Sequence, residues 1–211
     1  MTALTTEDRD RARAQRVLGI LAGCTPPVRH VLDLASRTGF FMGQLHDAGM
    51  TCTGVEGRTE NIQQVPPHIQ SSVIHADVRN LRASVSGLFD ATLCLGILYH
   101  LEAPDAINLL RDIAAVTRGT LILDTHFSAV AETSVTVNGH TYSGASYYEG
   151  NAKDFRWAAI GNQHSWWFTE AALVSALEDV GFTEISRMHE PAYADEPLSR
   201  GWFTARSEMT R

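Results

Sequence analysis

Short apolar runs alternate with amphipathic stretches along most of this chain. Residues 29–34, 51–56, 72–77, 89–95 and 119–125 are runs rich in Val, Ile, Leu and Thr, as expected of strands buried on both faces. Helical periods fill the gaps over about 38–48, 59–64 and Pro104 to about Thr117, with Gly49 and Pro66-Pro67 as stops. Ahead of them, Thr6-Glu7-Asp8 opens a helix that carries Ala14, Val17, Leu18 and Leu21 on one face and ends at Gly23 and Pro26-Pro27. Strands and helices at this spacing predict βαβ units and a parallel sheet.

The alternation breaks over 126–168. This stretch holds no long helical period, but Val135 to Tyr142 contains two β-like runs around Asn138-Gly139, a type I′ hairpin signal. Tyr142, Tyr147, Tyr148, Phe155, Trp157, Trp166 and Trp167 crowd into it. A structureless loop of this length is unusual in a compact domain, so a small structured insertion is expected, of the kind that forms lids. The α/β pattern resumes with Thr169 capping a helix to about Val180. A sixth strand follows at 182–189 and a seventh at 201–206, joined only by a loop, so the last strand runs antiparallel if the two are adjacent. The expected architecture is therefore an α/β fold with a Rossmann-like, seven-stranded, mostly parallel sheet, an antiparallel last strand, and a hairpin-containing lid insertion.

At 211 residues the chain suits one domain, with 1–28 as an N-terminal helical segment and 126–168 as an insertion. Its net charge of -7 and the lack of a basic cluster argue against nucleic acid; Arg9, Arg11, Arg13 and Arg16 alternate with acids and read as the solvated face of a helix. Cys24, Cys52 and Cys94 are scattered and odd in number, which favours free thiols and a cytoplasmic setting. No leader-like segment or long apolar run suggests export or a membrane. No metal-ligand spacing appears, so no metal is expected.

Candidate chemistry gathers at predicted strand ends. Asp33 ends the first strand, Glu56 the second and Asp77 the third, which puts three carboxylates along the crevice where open α/β sheets bind ligands. An acid about 20 residues beyond the first loop is placed to accept from both ribose hydroxyls, so the trio points to a nucleoside-containing ligand. Asp33 could instead cap the helix that follows it. His100 and His126 follow the fourth and fifth strands, and His164 closes the insertion. Each is either a base near an acceptor or a structural histidine. Tyr99 either shapes the pocket floor or simply packs, and Tyr142, Tyr147, Trp157 and Trp166 either line a substrate pocket or form the core of the insertion.

Over about 29–125, and more loosely 169–206, the chain resembles the class I S-adenosylmethionine-dependent methyltransferases. The acid–x–Gly–x–Gly–x–Gly loop of that family corresponds to Asp33-Leu34-Ala35-Ser36-Arg37-Thr38-Gly39, with only the last glycine kept. Gly54-Val55-Glu56-Gly57-Arg58 is similar to the ribose-binding strand end, and Ala76-Asp77-Val78 to the adenine site. Phe89 to Leu101 is similar to the branch carrying Leu-x-x-Leu-Tyr-His-Leu, where backbone around Leu95 and Gly96 lies along the methionine moiety. The resemblance implies S-adenosyl-L-methionine as cofactor, bound through Asp33, Ala35, Ser36, Arg37, Gly39, Glu56, Gly57, Arg58, Asp77, Val78, Leu95 and Gly96. It implies methyl transfer to an oxygen or nitrogen of a small-molecule acceptor by a monomer or homodimer. The alternatives are methylation of a peptide carboxylate, tRNA modification, and a non-catalytic cofactor-binding scaffold.

Overall fold

A computed structural model describes residues 4–150 and 159–207. Helix α1 (Thr6–Ala22) starts at a capping box, in which the Thr5 hydroxyl accepts from the Asp8 N–H and the Asp8 carboxylate accepts from Thr5. Five strands follow: β1 (His30–Leu34), β2 (Thr51–Glu56), β3 (Val73–His75), β4 (Phe89–Leu95) and β5 (Thr117–His126). Between them lie α2 (Phe40–Asp47), the single turns α3 (Thr59–Ile62), α4 (Pro67–Gln70) and α5 (Leu81–Ser84), and the longer α6 (Ala103–Val116). After three strands of the insertion, β6 (Thr133–Val137), β7 (His140–Tyr148) and β8 (His164–Phe168), come α7 (Glu170–Asp179), β9 (Phe182–Met188) and β10 (Arg200–Ser207).

The seven-stranded sheet has the order β3-β2-β1-β4-β5-β10-β9. Strands β1 to β5 pair in parallel, while β10 lies between β5 and β9 and runs antiparallel to both. The expected fold is thus the observed one. Alternation along the strands splits the core into two layers. Leu32, Leu34, Cys94, Leu121 and Leu123 pack with α6 and α7 on one face; Val31, Leu93 and Ile122 pack with α1, α2 and Trp202 on the other.

Three expectations need correction. Strand β3 stops at His75, because Asp77 instead caps a 3₁₀ turn over Val78–Asn80. The stretch around Trp166 is itself a strand, so the insertion is a three-stranded antiparallel sheet, β6-β7-β8, around the Asn138-Gly139 turn. Both turn residues have positive φ, 54° and 86°, as a type I′ turn requires. Most of this sheet is not a lid over open space: Tyr142, Trp166 and Phe168 are buried in the α6–α7 layer.

Helix α1 gives the third correction. Arg11 faces solvent with Glu7, but Arg9 pairs with Asp195, Arg16 donates to the Pro191 carbonyl, and Arg13 is buried. The Arg13 guanidinium donates through Nε and Nη2 to Asp124 Oδ2 at 3.0 and 2.7 Å, and through Nη1 to Asp10 at 3.1 Å. Arg200, from the start of β10, reaches both oxygens of the same carboxylate at 2.5 and 2.7 Å. Asp124 is wholly buried at the carboxyl end of β5 and ties the first helix and the last strand to the middle of the sheet. Removing one partner of a buried ion pair typically costs about 3–5 kcal/mol. Asp124→Ala, which strands two guanidiniums, is expected to lose at least about that much in urea denaturation, whereas Arg11→Ala should change stability by less than about 0.5 kcal/mol.

Candidate active site

The parallel strands end along one edge of the sheet, and their loops enclose a cavity of about 510 Å³. Its floor starts with the turn after β1. Ala35 and Arg37 have φ of 52° and 53°, and Gly39 has 79°. The two positions that lack the family's glycine therefore keep the left-handed backbone that glycine favours, at a cost on the order of 1–2 kcal/mol each for an L-residue. Hydrogen bonds fix this shape. The Ser36 N–H donates to the Val55 carbonyl at 3.1 Å, and the Arg37 N–H donates to Glu56 Oε2 at 2.8 Å.

Glu56 is buried, and its Oε1 accepts from the Arg58 N–H at 2.7 Å. Its two oxygens thus stay ordered at the cavity wall. Asp77 accepts from the backbone and guanidinium of Arg79. Although burial pushes the Asp77 carboxyl up, those bonds outweigh it and hold the group below its ordinary value. Arg79 also donates to the Ile160 carbonyl at 2.6 Å, and a Cβ on Gly57 would lie 2.6 Å from Ile160 Cδ1. The insertion therefore reaches the cavity at its Asp77 end through Ala159 and Ile160.

Asp33 lies in a smaller cleft of about 60 Å³, also lined by Ser36 and sharing Asp10, Arg13, Ala35, Arg37, Thr38 and Leu95 with the main cavity. Asp33 Oδ2 and Ser36 Oγ are buried and make no hydrogen bond. Burial pushes the Asp33 carboxyl up to about 7; Arg13 opposes the shift and the charge of Glu56 adds to it. Gly96, with φ of 85°, lies against Arg200 and Arg13: a Cβ there would sit 3.4 and 3.6 Å from their Nη2 atoms. Tyr99 and His100 continue that wall, Thr6, Arg9 and Asp10 of α1 supply another, and Tyr193 joins them.

The fold thus brings Ala35, Arg37, Glu56, Gly57, Arg58 and Asp77 to one cavity, together with Val78, Leu95, Gly96, Tyr99 and His100. Asp33 and Ser36 adjoin it, and Gly39 sits behind it against Val65. Other candidates are not brought there. His126 packs between the Tyr99 edge and the Trp167 face, its Nδ1 3.1 Å from Ser199 Oγ. Desolvation and then Arg200 lower its pKa to about 4, so it stays neutral near pH 7. His164 is exposed beside Tyr148, and Tyr147 lies on Trp167. Tyr142 is buried and donates to Asp179, and Trp166 packs on Phe168 in the core. Trp157 lies outside the described residues.

A protein-family model described as a methyltransferase domain matches residues 6–187. The chain belongs to that family. It is an S-adenosylmethionine-dependent methyltransferase. Among solved structures it is similar to the N-terminal domain of EvdMO1 with S-adenosylhomocysteine bound, at 26% identity over 96% of this chain and 82% of that one, TM-score 0.75. The same domain in the presence of S-adenosylhomocysteine and D-fucose aligns at 26% identity over 97% and 85% of the two chains, TM-score 0.76. Against the longer EvdMO1 structure the chain covers 41% of the partner's length, again at 26% identity, with a TM-score of 0.64 over 95% of this chain. DesVI from Streptomyces venezuelae shares the fold at 16% identity over 95% and 93% of the chains, TM-score 0.66. No curated protein sequence matches the chain.

The residues present fit this methyltransferase's cofactor. The cleft leaves the buried Asp33 oxygen and Ser36 hydroxyl unpartnered, as a site for an ammonium group requires, and Glu56 presents an ordered carboxylate for ribose hydroxyls. The family loop was readable from the sequence, but Arg13, Arg200 and Tyr193 were not. Arg13 had a signal: with Val17 and Leu21 it falls at i, i+4 and i+8, on the apolar stripe of α1. Among the described residues no cluster of three metal-binding side chains occurs, and no helix is long and apolar enough to cross a membrane.

A folded-state Asp33 pKa of about 7 has a consequence for stability. Unfolded, this group titrates near about 3.9. Between those values the folded methyltransferase holds the proton and the unfolded chain does not, so this contribution falls as pH rises through the window. In cofactor-free protein, Asp33→Asn should gain stability relative to the parent between about pH 4 and pH 7, as read by urea denaturation at each pH.

Proposed function

We propose that this methyltransferase moves a methyl group from S-adenosylmethionine to an oxygen or nitrogen of a small acceptor at the mouth bounded by Tyr99, His100, Tyr193 and Arg200. The carrying observation is the left-handed 35–39 loop, locked to Glu56 and lying beside the unpartnered Asp33 carboxyl. Asp33, Ser36 and the backbone at Leu95 and Gly96 are assigned to the methionine moiety, and Glu56 to the ribose. Asp77 and the Val78 backbone are assigned to the adenine, with Arg79 holding the carboxylate in place. The chemistry supplied by the bound cofactor is a methyl carbon activated by a sulfonium.

The chain's own task is then alignment and exclusion of water, worth up to about 7–11 kcal/mol. The charges of the site suit it. Arg13 and Arg200 face Gly96, yet Asp124 and Asp10 accept from them, so the wall next to a sulfonium is balanced rather than cationic. The similar EvdMO1 domain was crystallised in the presence of D-fucose, which supports a sugar-like acceptor.

Incubation with methyl-labelled cofactor and a panel of hydroxylated and aminated sugars, D-fucose included, should give a product labelled with one methyl group. Glu56→Ala should weaken cofactor binding by about 10–100-fold, from the loss of charged hydrogen bonds and of the loop they hold. Labelling of a peptide carboxylate with no sugar labelled would instead overturn the small-acceptor reading.

A further inference from the structure

We propose that the acceptor group is a hydroxyl, and that Glu149 is the positioning residue that makes His100 its proton acceptor; this rests on the methyl-transfer reading above. His100 ends the 3₁₀ turn after β4 and lies on the cavity wall beside Tyr99. Its Nδ1 is 2.9 Å from both oxygens of Glu149, a residue just past the end of β7 in the other sheet. Both side chains are mostly shielded, with 17% and 11% of their surface exposed.

The pairing is built from two sides. The Glu149 N–H donates to the Gln163 carbonyl at 2.9 Å, and Asn162 Nδ2 donates to the His100 carbonyl at 2.9 Å. The chain on each side of the insertion's far end is thus fastened around one imidazole. Phe168 and Trp166 anchor the same sheet in the core, so Glu149 is carried on a rigid support.

The chemistry follows from the donor inventory. A carboxylate only accepts, so Nδ1 carries a proton, and in the neutral imidazole the Nε2 lone pair is then left for the cavity. Nε2 makes no hydrogen bond among the described residues. No other imidazole among them lines the cavity, since His126 is spent on Ser199 and Trp167. The remaining wall carboxylates are committed elsewhere: Glu56 to backbone N–H groups, Asp77 to Arg79, and Asp10 to Arg13.

Such a base discriminates among acceptors. An alcohol is a weak nucleophile until its proton leaves, whereas a neutral amine attacks with its own lone pair and a carboxylate has no proton to give. In the step, the acceptor oxygen bonds to the methyl carbon as the carbon–sulfur bond breaks, with that pair remaining on sulfur. The hydroxyl proton moves to His100 Nε2. The charge lost at sulfur reappears on the imidazolium, against the Glu149 carboxylate.

The test uses the full chain with S-adenosylhomocysteine bound, read first by ¹H–¹⁵N correlation of the imidazole. His100 should show the Nδ1-protonated tautomer, and Glu149→Gln should lose that preference while still binding S-adenosylhomocysteine. With D-fucose and its 2-amino-2-deoxy counterpart as paired acceptors, the parent should give an O-methyl product. Glu149→Gln should lower kcat about 10²-fold with little change in KM for the cofactor, and Glu149→Asp should recover part of it. An Nε2-protonated tautomer in the parent, an N-methyl product, no product from either sugar, or an unchanged kcat in Glu149→Gln overturns the proposal. Failure of the parent to bind S-adenosylhomocysteine overturns the underlying methyl-transfer reading instead.

Discussion

At the carboxyl end of β5, Asp124 is removed wholly from water and accepts from two guanidiniums that arrive from opposite ends of the chain. Burying such groups costs several kcal/mol per ion, and the cost is recovered only when every donor and lone pair is matched. Here burial disfavours the charge on Arg200, but Asp124 more than restores it, raising the guanidinium pKa. Arg13 adds Asp10 and lies over the Phe41 and Trp202 rings. Because this cluster joins α1 to β5 and β10, it also sets where Thr6, Arg9 and Asp10 close over the cavity. A stability device and a site wall are the same residues.

A second constraint acts on the same edge of the sheet, in the turn after β1. The turn over residues 35–39 keeps a glycine-like path with alanine and arginine in left-handed conformations, which only surrounding bonds can sustain. Glu56 supplies one of those bonds with one oxygen and holds Arg58 with the other. The carboxylate assigned to the ribose therefore also maintains the loop assigned to the methionine moiety. Asp77 is tied in a similar way, through Arg79, to the backbone of the insertion at Ile160. The carboxylates assigned to the cofactor also carry tertiary contacts along this edge of the methyltransferase.

Much of this was legible in the sequence, and the reasons are specific. Strands β1 and β4 are mostly apolar because both of their faces are covered, and the acids at positions 33 and 56 stand out at the ends of β1 and β2. The Asn138-Gly139 hairpin follows from the φ values that its turn demands. What failed was assignment by residue type alone. Tyr142 and Trp166 went to the core because their places on β7 and β8 turn them toward α6 and α7, while Trp167, one residue on, turns toward His126. Arg13 was misread because charge outweighed its place on the apolar stripe. Glu149 and Arg200 meet their partners across 49 and 76 residues, a distance over which local pattern carries no information.

The end of the cavity assigned to the methionine moiety is the cleft at Asp33. An ammonium group lodged beside Asp33 would lower its pKa from about 7 and drive off its proton. Calorimetric titration of the full chain with S-adenosylhomocysteine near pH 6.5, in buffers of different ionisation enthalpy, measures binding and proton release together. Saturable binding with net release of a proton to the buffer is expected, and loss of that release in Asp33→Asn. No binding at millimolar ligand, or binding whose proton release is the same in Asp33→Asn as in the parent, would contradict this assignment.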